Sequence, residues 1–212
     1  MHFKTRYDMI HNGISTFRSG DFRLWTGLPE GDRLNPVVAA VLTVDAGFNN
    51  LTSAIDHIAA KNNVTISLAG RNFRAHSTLA LKKGVNLLDG VGDFSQPAAG
   101  LAGKVWSFEH LAVTPNMIIG SETAPASVAP VRAELKGAMA TYGIYLSEKD
   151  EIDIVHATLA RVMKWESVND LQQYADDLLE LRVKLAEQPL AITVESIYWG
   201  TVEGLLQENI SI

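Results

Sequence analysis

At 212 residues the chain is long enough for one sizeable core or two fused lobes. Its hydrophobic content of 47% and charged content of 20% are those of a globular protein, and a formal net charge of −6 argues against a dedicated binder of long duplex nucleic acid. Cys is absent, which excludes disulfides and thiolate metal sites. No apolar run approaches a membrane span, and no apolar stretch follows the charged N-terminus, so neither a signal peptide nor a membrane partner is expected; the absence of Cys suits a reducing cytosol, and the expected state is a cytoplasmic monomer.

Residues 1–35 are polar and punctuated by Gly13, Gly20, Gly27 and Gly31. They carry Phe17, Phe22, Leu24 and Trp25, so they read as an N-terminal extension packed on the body, which is residues 36–212. From Pro36 the pattern becomes regular. Val37 to Val44 is a β-branched run expected to form a buried strand. Asn49 to Asn62 has helical spacing, with Asn49, Asn50 or Thr52 as candidate caps. Val64 to Leu68 is a short extended run. Phe73 to Leu81 is a strand that puts Arg74, His76, Thr78, Ala80 and Lys82 on one face. A Gly- and Ala-rich connection over 84–103 follows.

The second half repeats the plan. Val105 to Ile119 reads as extended, Ser127 to Tyr142 as a helix, and Glu151 to Val162 as a strand with Ile152, Ile154, His156, Thr158 and Ala160 on one face. A helix over Ser167 to Ala186 then leads to a last strand, Leu190 to Trp199. The order strand, helix, strand thus occurs twice.

The two matching strands contain the same tetrapeptide, His76-Ser77-Thr78-Leu79 and His156-Ala157-Thr158-Leu159. Residues two apart in a strand share a face, so each His projects with its Thr. Two imidazoles on opposite sides of a phosphodiester can accept and donate a proton near pH 7 without a metal. The Thr hydroxyls are neutral donors suited to phosphoryl oxygens, and Ala80 and Ala160 are small enough to leave room for a ligand. Zinc is a weaker reading, because Thr is a poor ligand and no carboxylate stands at a helical partner position. No metal or cofactor is therefore expected, and His2, His11, His57 and His110 are given structural roles. Arg74 is a candidate phosphate contact, and Tyr145, Tyr198 or Trp199 could stack a base.

The paired His-x-Thr-Leu motifs, the second continuing Ala160-Arg161, resemble those of the two-histidine (2H) phosphoesterase superfamily, nearest its 2′-5′ RNA ligase-like or cyclic phosphodiesterase-like branch. The resemblance covers about residues 36–205. It implies an α+β, bilobal, pseudo-twofold fold in which two antiparallel sheets face a central groove with helices outside. It also implies that His76 and His156 are the acid/base pair, that Thr78 and Thr158 hold the phosphate, and that Arg161 helps with substrate. The implied activity is opening of a 2′,3′-cyclic phosphate or a related nucleotide phosphodiester, or reversible 2′-5′ ligation, on a small nucleotide or short RNA end. The alternative is a non-catalytic nucleotide or RNA-end binding module using the same groove. The first motif departs from the branch by continuing Ala80-Leu81-Lys82-Lys83 in place of an aromatic residue, a Leu and a Gly, and residues 1–35 have no counterpart in it.

Overall fold

The structure, a computed structural model, describes residues 24–86, 92–113, 117–123, 128–147 and 154–206. The expectations for Phe17, Phe22, Ser127 and Ile152 concern positions outside the described residues or side chains. The architecture is α+β, with two antiparallel four-stranded sheets. The elements are β1 (Pro36–Leu42), α1 (Ala46–Lys61), β2 (Val64–Leu68), β3 (His76–Leu81), β4 (Val105–Phe108), β5 (His110–Val113), β6 (Met117–Thr123), α2 (Val128–Ala140), β7 (Ile154–Trp165), α3 (Val168–Glu187), β8 (Leu190–Thr201) and α4 (Val202–Leu206). The first sheet has the order β3-β1-β8-β4 and the second β2-β7-β6-β5. Strands β3 and β7, which carry the motifs, lie beside each other, with Cα atoms approaching within 8 Å.

Strand β1 is buried at all seven positions, as a β-branched run between two partner strands should be. Helix α1 starts earlier than its apolar spacing suggests. Its cap is Asp45, whose carboxylate accepts the Phe48 N–H at 2.9 Å, and neither Asn49, Asn50 nor Thr52 takes that role. Thr52 is buried inside the helix, its hydroxyl donating to the Phe48 carbonyl at 3.1 Å. The helix ends where Asn63 turns into the left-handed region at φ 54°. Helix α3 is capped by Ser167, whose hydroxyl accepts the Asp170 N–H at 3.1 Å. The extended stretch 105–119 is broken into separate strands: β4 joins the first sheet through β8, while β5 and β6 pair with each other in the second.

Helices α1 and α3, which pack against each other and against β2, are tied by one carboxylate. Asp177 on α3 accepts Lys61 Nζ and Asn62 Nδ2, each at 2.8 Å, and these bonds hold its pKa down to about 2. A carboxyl with a depressed folded pKa contributes stability above its unfolded pKa of about 3.9 and loses it as pH falls toward the folded value. Thermal melts of the wild type should therefore fall more steeply between pH 5 and pH 2 than those of Asp177→Asn. Parallel curves would show that the clamp contributes nothing.

The internal repeat is visible in the hydrogen-bond register. In the first sheet Val41, Ala40, Ala39, Val38 and Val37 pair with His76, Ser77, Thr78, Ala80 and Leu81. In the second, Ser121, Gly120, Ile119, Ile118 and Met117 pair with His156, Ala157, Thr158, Ala160 and Arg161. Every position in the second set is the first plus 80. Both sets skip one residue, Leu79 and Leu159, so each motif strand bulges at its Leu.

That bulge corrects the sequence reading. Regular alternation places Ala80 and Ala160 on the His face, but the extra residue reverses the parity beyond each Thr. Both alanines are buried in the main core and leave no room for a ligand. The position returned to the His face is the next one, Leu81 in the first strand and Arg161 in the second.

Candidate active site

Each motif His shares its face with its Thr and with cross-strand neighbours, because directly paired residues of antiparallel strands project to the same side. On the first sheet this gives a row of His76, Val41 and Ser196 and a second row of Thr78, Ala39 and Tyr198. On the second sheet the rows are His156, Ser121 and His110, then Thr158, Ile119 and Ala112. His76, Thr78, His156 and Thr158 are all half-buried, while the intervening Ser77 and Ala157 are buried. The motif strands thus fix themselves through one face and keep the chemistry-bearing groups on the other.

His76 has a defined tautomer. Its Nδ1–H donates to the Arg74 carbonyl at 2.7 Å, and a carbonyl can only accept. Nε2 is therefore the nitrogen left with a lone pair in the neutral ring. Burial pushes the pKa down to about 4, the Arg74 carbonyl opposes this, and the nearby charges of Arg161 and Arg74 reinforce it. His76 is neutral at physiological pH.

Arg161 comes from β7 yet lies close enough to act on His76, so it links the two motif strands electrostatically. It is only 9% exposed. Its guanidinium carbon stands 4.1 Å from the Phe73 ring centroid and 4.3 Å from that of Trp25. Burial lowers its pKa to about 10, which leaves it cationic at neutral pH. Among the described residues no carboxylate pairs with it, and its buried Nε–H has no hydrogen-bond partner. Arg74 extends over the Tyr198 ring at 5.5 Å, and the Tyr198 hydroxyl donates to the Thr201 carbonyl.

A cavity of about 600 Å³ opens next to the residues that precede His76 in the chain, and none of the four motif His and Thr residues lines it. Its walls include Val41, the cross-strand partner of His76, and the polar groups of Thr43, Arg71, Arg74, Glu195 and Ser196. Arg71 is held there by Asp56 at 2.9 Å and by the Ser53 hydroxyl.

The other aromatic candidates lie elsewhere. Trp199 falls on the opposite face of β8 from Tyr198 and packs edge-on against Phe94, 4.6 Å between centroids. Tyr145 is 69% exposed in the loop after α2. Trp25 and Phe73 are the aromatic neighbours of Arg161 that the sequence did not single out, and His110 occupies the row of His156 through Ser121. A stronger weight on the lone Trp before the first strand is the one sequence signal that points to Trp25. Among the described residues no group of three or more His, Asp or Glu could hold a metal ion, and no helix is long and apolar enough to cross a membrane.

No family model matches the sequence, and no curated protein matches it. Among solved structures, Usb1 of Kluyveromyces marxianus is similar at 12% identity and a TM-score of 0.41, covering 81% of this chain and 99% of that one. The structure of the same protein with uridine monophosphate gives 13% identity and a TM-score of 0.37 over the same shares.

Proposed function

We propose that the chain is a metal-independent phosphodiesterase that opens a 2′,3′-cyclic phosphate or a related nucleotide phosphodiester by two-histidine acid/base catalysis. The observation that carries this reading is the repeated register: two His-x-Thr strands, paired identically at an offset of 80 residues, run beside each other. A phosphate seated between them in a groove shared by the two sheets would meet an imidazole from each side.

In the forward reaction a water attacks phosphorus. Nε2 of His76 takes the proton of that water as the new P–O bond forms. The bond from phosphorus to one ribose oxygen breaks on the opposite side, and His156 gives that oxygen its proton. With the 5′-hydroxyl of a second nucleotide in place of the water, the same pair would serve 2′-5′ ligation: His76 takes the hydroxyl proton as the new P–O bond forms, and His156 protonates the 3′ oxygen that leaves. The base role suits His76 because its Nδ1 is committed to the Arg74 carbonyl and its ring is neutral. Thr78 and Thr158 would donate to the non-bridging oxygens, and Arg161 and Arg74 would offset their charge. Tyr198, in the row of Thr78 across Ala39 and under Arg74, is the aromatic best situated to meet a base.

The substrate should be a small nucleotide or short RNA end. Few phosphate contacts on an acidic chain imply a shallow salt dependence, a little under one unit of logarithmic slope for each neutralised phosphate. The test is a panel of 2′,3′-cyclic mononucleotides, cyclic dinucleotides and 2′-5′ oligonucleotides, assayed with a chelator present. Turnover of one class that survives chelation is expected. Binding without turnover across the panel would make the groove a recognition site.

The pH profile gives a second check. A base with a pKa of about 4 must lose its proton to act, so kcat/KM should rise with pH through about 4 and reach its plateau by about pH 5. An acidic limb near 6.5, the ordinary value for His, would remove His76 from the base role.

A further inference from the structure

Trp25 precedes the repeat and belongs to neither motif, yet it covers a buried cation beside His76. Its backbone N–H donates to the Val162 carbonyl of β7 at 2.8 Å, and its ring centroid stands 4.3 Å from the Arg161 guanidinium carbon, which also lies 4.1 Å from that of Phe73. The segment that carries it is also fixed at its far end. The Arg33 carbonyl accepts the Glu203 N–H at 2.9 Å and the Asn35 carbonyl accepts the Val202 N–H at 3.0 Å. Asn35, only 1% exposed, accepts the Gly84 N–H through its side-chain oxygen. Residues 24–35 thus form a strap tied to β7 at one end and to α4 at the other.

A guanidinium set against two aromatic rings still has its N–H edge to satisfy. Here that edge includes a buried Nε–H without a partner, and no carboxylate balances the charge among the described residues. Aromatic faces stabilise a desolvated cation but satisfy none of its donors. The groups that would satisfy them are the oxygens of an anion entering from outside, and the planar fork of Arg suits a phosphate.

We propose that Trp25 is a positioning residue: the strap presses its ring onto Arg161 and so completes a phosphate-binding subsite on the His156 and Thr158 face. The ligand class is the oxyanion of a phosphate monoester or diester. The catalytic meaning of this subsite rests on the phosphodiesterase reading, while its capacity to bind an anion does not. The segment before the first strand is then part of the binding machinery, although it stands outside the repeat that supplies the acid and the base.

The test uses the full chain and the variants Trp25→Ala, Trp25→Phe and Arg161→Lys. Three quantities are measured: phenylglyoxal modification of Arg161 followed by mass spectrometry, affinity for inorganic phosphate, and steady-state hydrolysis of 2′,3′-cyclic UMP. In Trp25→Ala, Arg161 should be modified several-fold faster, and phosphate should bind about tenfold more weakly. KM should rise by a similar factor with kcat within about twofold, as expected for lost uniform binding. Trp25→Phe keeps an aromatic face and should restore most of each value. Arg161→Lys should lose phosphate affinity with Trp25 still present. Unchanged modification and affinity in Trp25→Ala would overturn the proposal, as would Trp25→Phe behaving like Trp25→Ala. If wild-type protein binds phosphate in a Trp25-dependent way but hydrolyses nothing, the subsite stands and the phosphodiesterase reading falls.

Discussion

Replacing His76 or His156 with Ala should each lower turnover of the best cyclic-phosphate substrate by roughly 10²–10⁴-fold, the usual worth of a positioned acid or base. Both variants should remain folded. Each imidazole is half-buried on the open side of its strand, while the neighbours that anchor the strand, Ser77 with Leu79 and Ala157 with Leu159, face the interior. The double variant should be little worse than the more damaged single one, because the two groups act in one transition state. Thr78→Ala and Thr158→Ala should each cost less, since a neutral hydroxyl is one of several donors. Steady-state kinetics on the same substrate, with circular dichroism to verify folding, decides the matter. Near wild-type turnover in either His variant would dismantle the acid/base assignment.

The largest effect on stability is expected at the bulge. Leu159 is fully buried, and its Cδ1 would stand 3.1 Å from a Cβ added at Gly120, where Phe108 would stand 2.7 Å away. Leu159→Ala empties volume in a region packed closely enough to require glycine on the neighbouring strand. It should cost about 2–5 kcal/mol, the usual range for Leu to Ala in a core. Leu79→Ala, at the matching position and 2% exposed, should fall in the same range. Urea or guanidinium unfolding measures both. A loss under about 1 kcal/mol at Leu159 would mean that the core closes over the gap and that the bulge has another anchor.

Much of the topology was legible because its causes are local. The β-branched run of β1, the Val64–Leu68 strand and the helix that follows Ser167 each follow from residue chemistry within a few positions. The 80-residue spacing of the motifs also proved to be a spacing of strand registers. What the sequence hid were consequences of pairing. A bulge leaves no mark in the composition of its own strand, because the skipped residue is an ordinary Leu and the reversed parity is set by the partner strand. Ala80 and Ala160 were misassigned for that reason, and Arg161 could be linked to the site by resemblance but not by alternation. Likewise 105–119 has one extended composition but is divided between two sheets, a choice made by β8 and β6 as partners. Trp25 was legible as packed but not as packed on Arg161, since that contact joins segments far apart in the chain.

The place of β1 in the first sheet has a consequence for how the chain is made. β1 is an interior strand, bonded on one side to β3 and on the other to β8, with Pro36 paired to Thr201. During synthesis its first partner, residues 76–81, emerges soon after it, but the second, residues 190–201, follows only after every other strand of both sheets. Until then a seven-residue apolar strand has one bare edge, the kind of surface on which chains pair with the wrong neighbour. Contacts between such distant segments also slow folding, because the intervening loop must be closed before the pairing stabilises it. Chains released before residue 190 would keep that edge open permanently, so premature termination should yield aggregated protein and not a smaller folded unit.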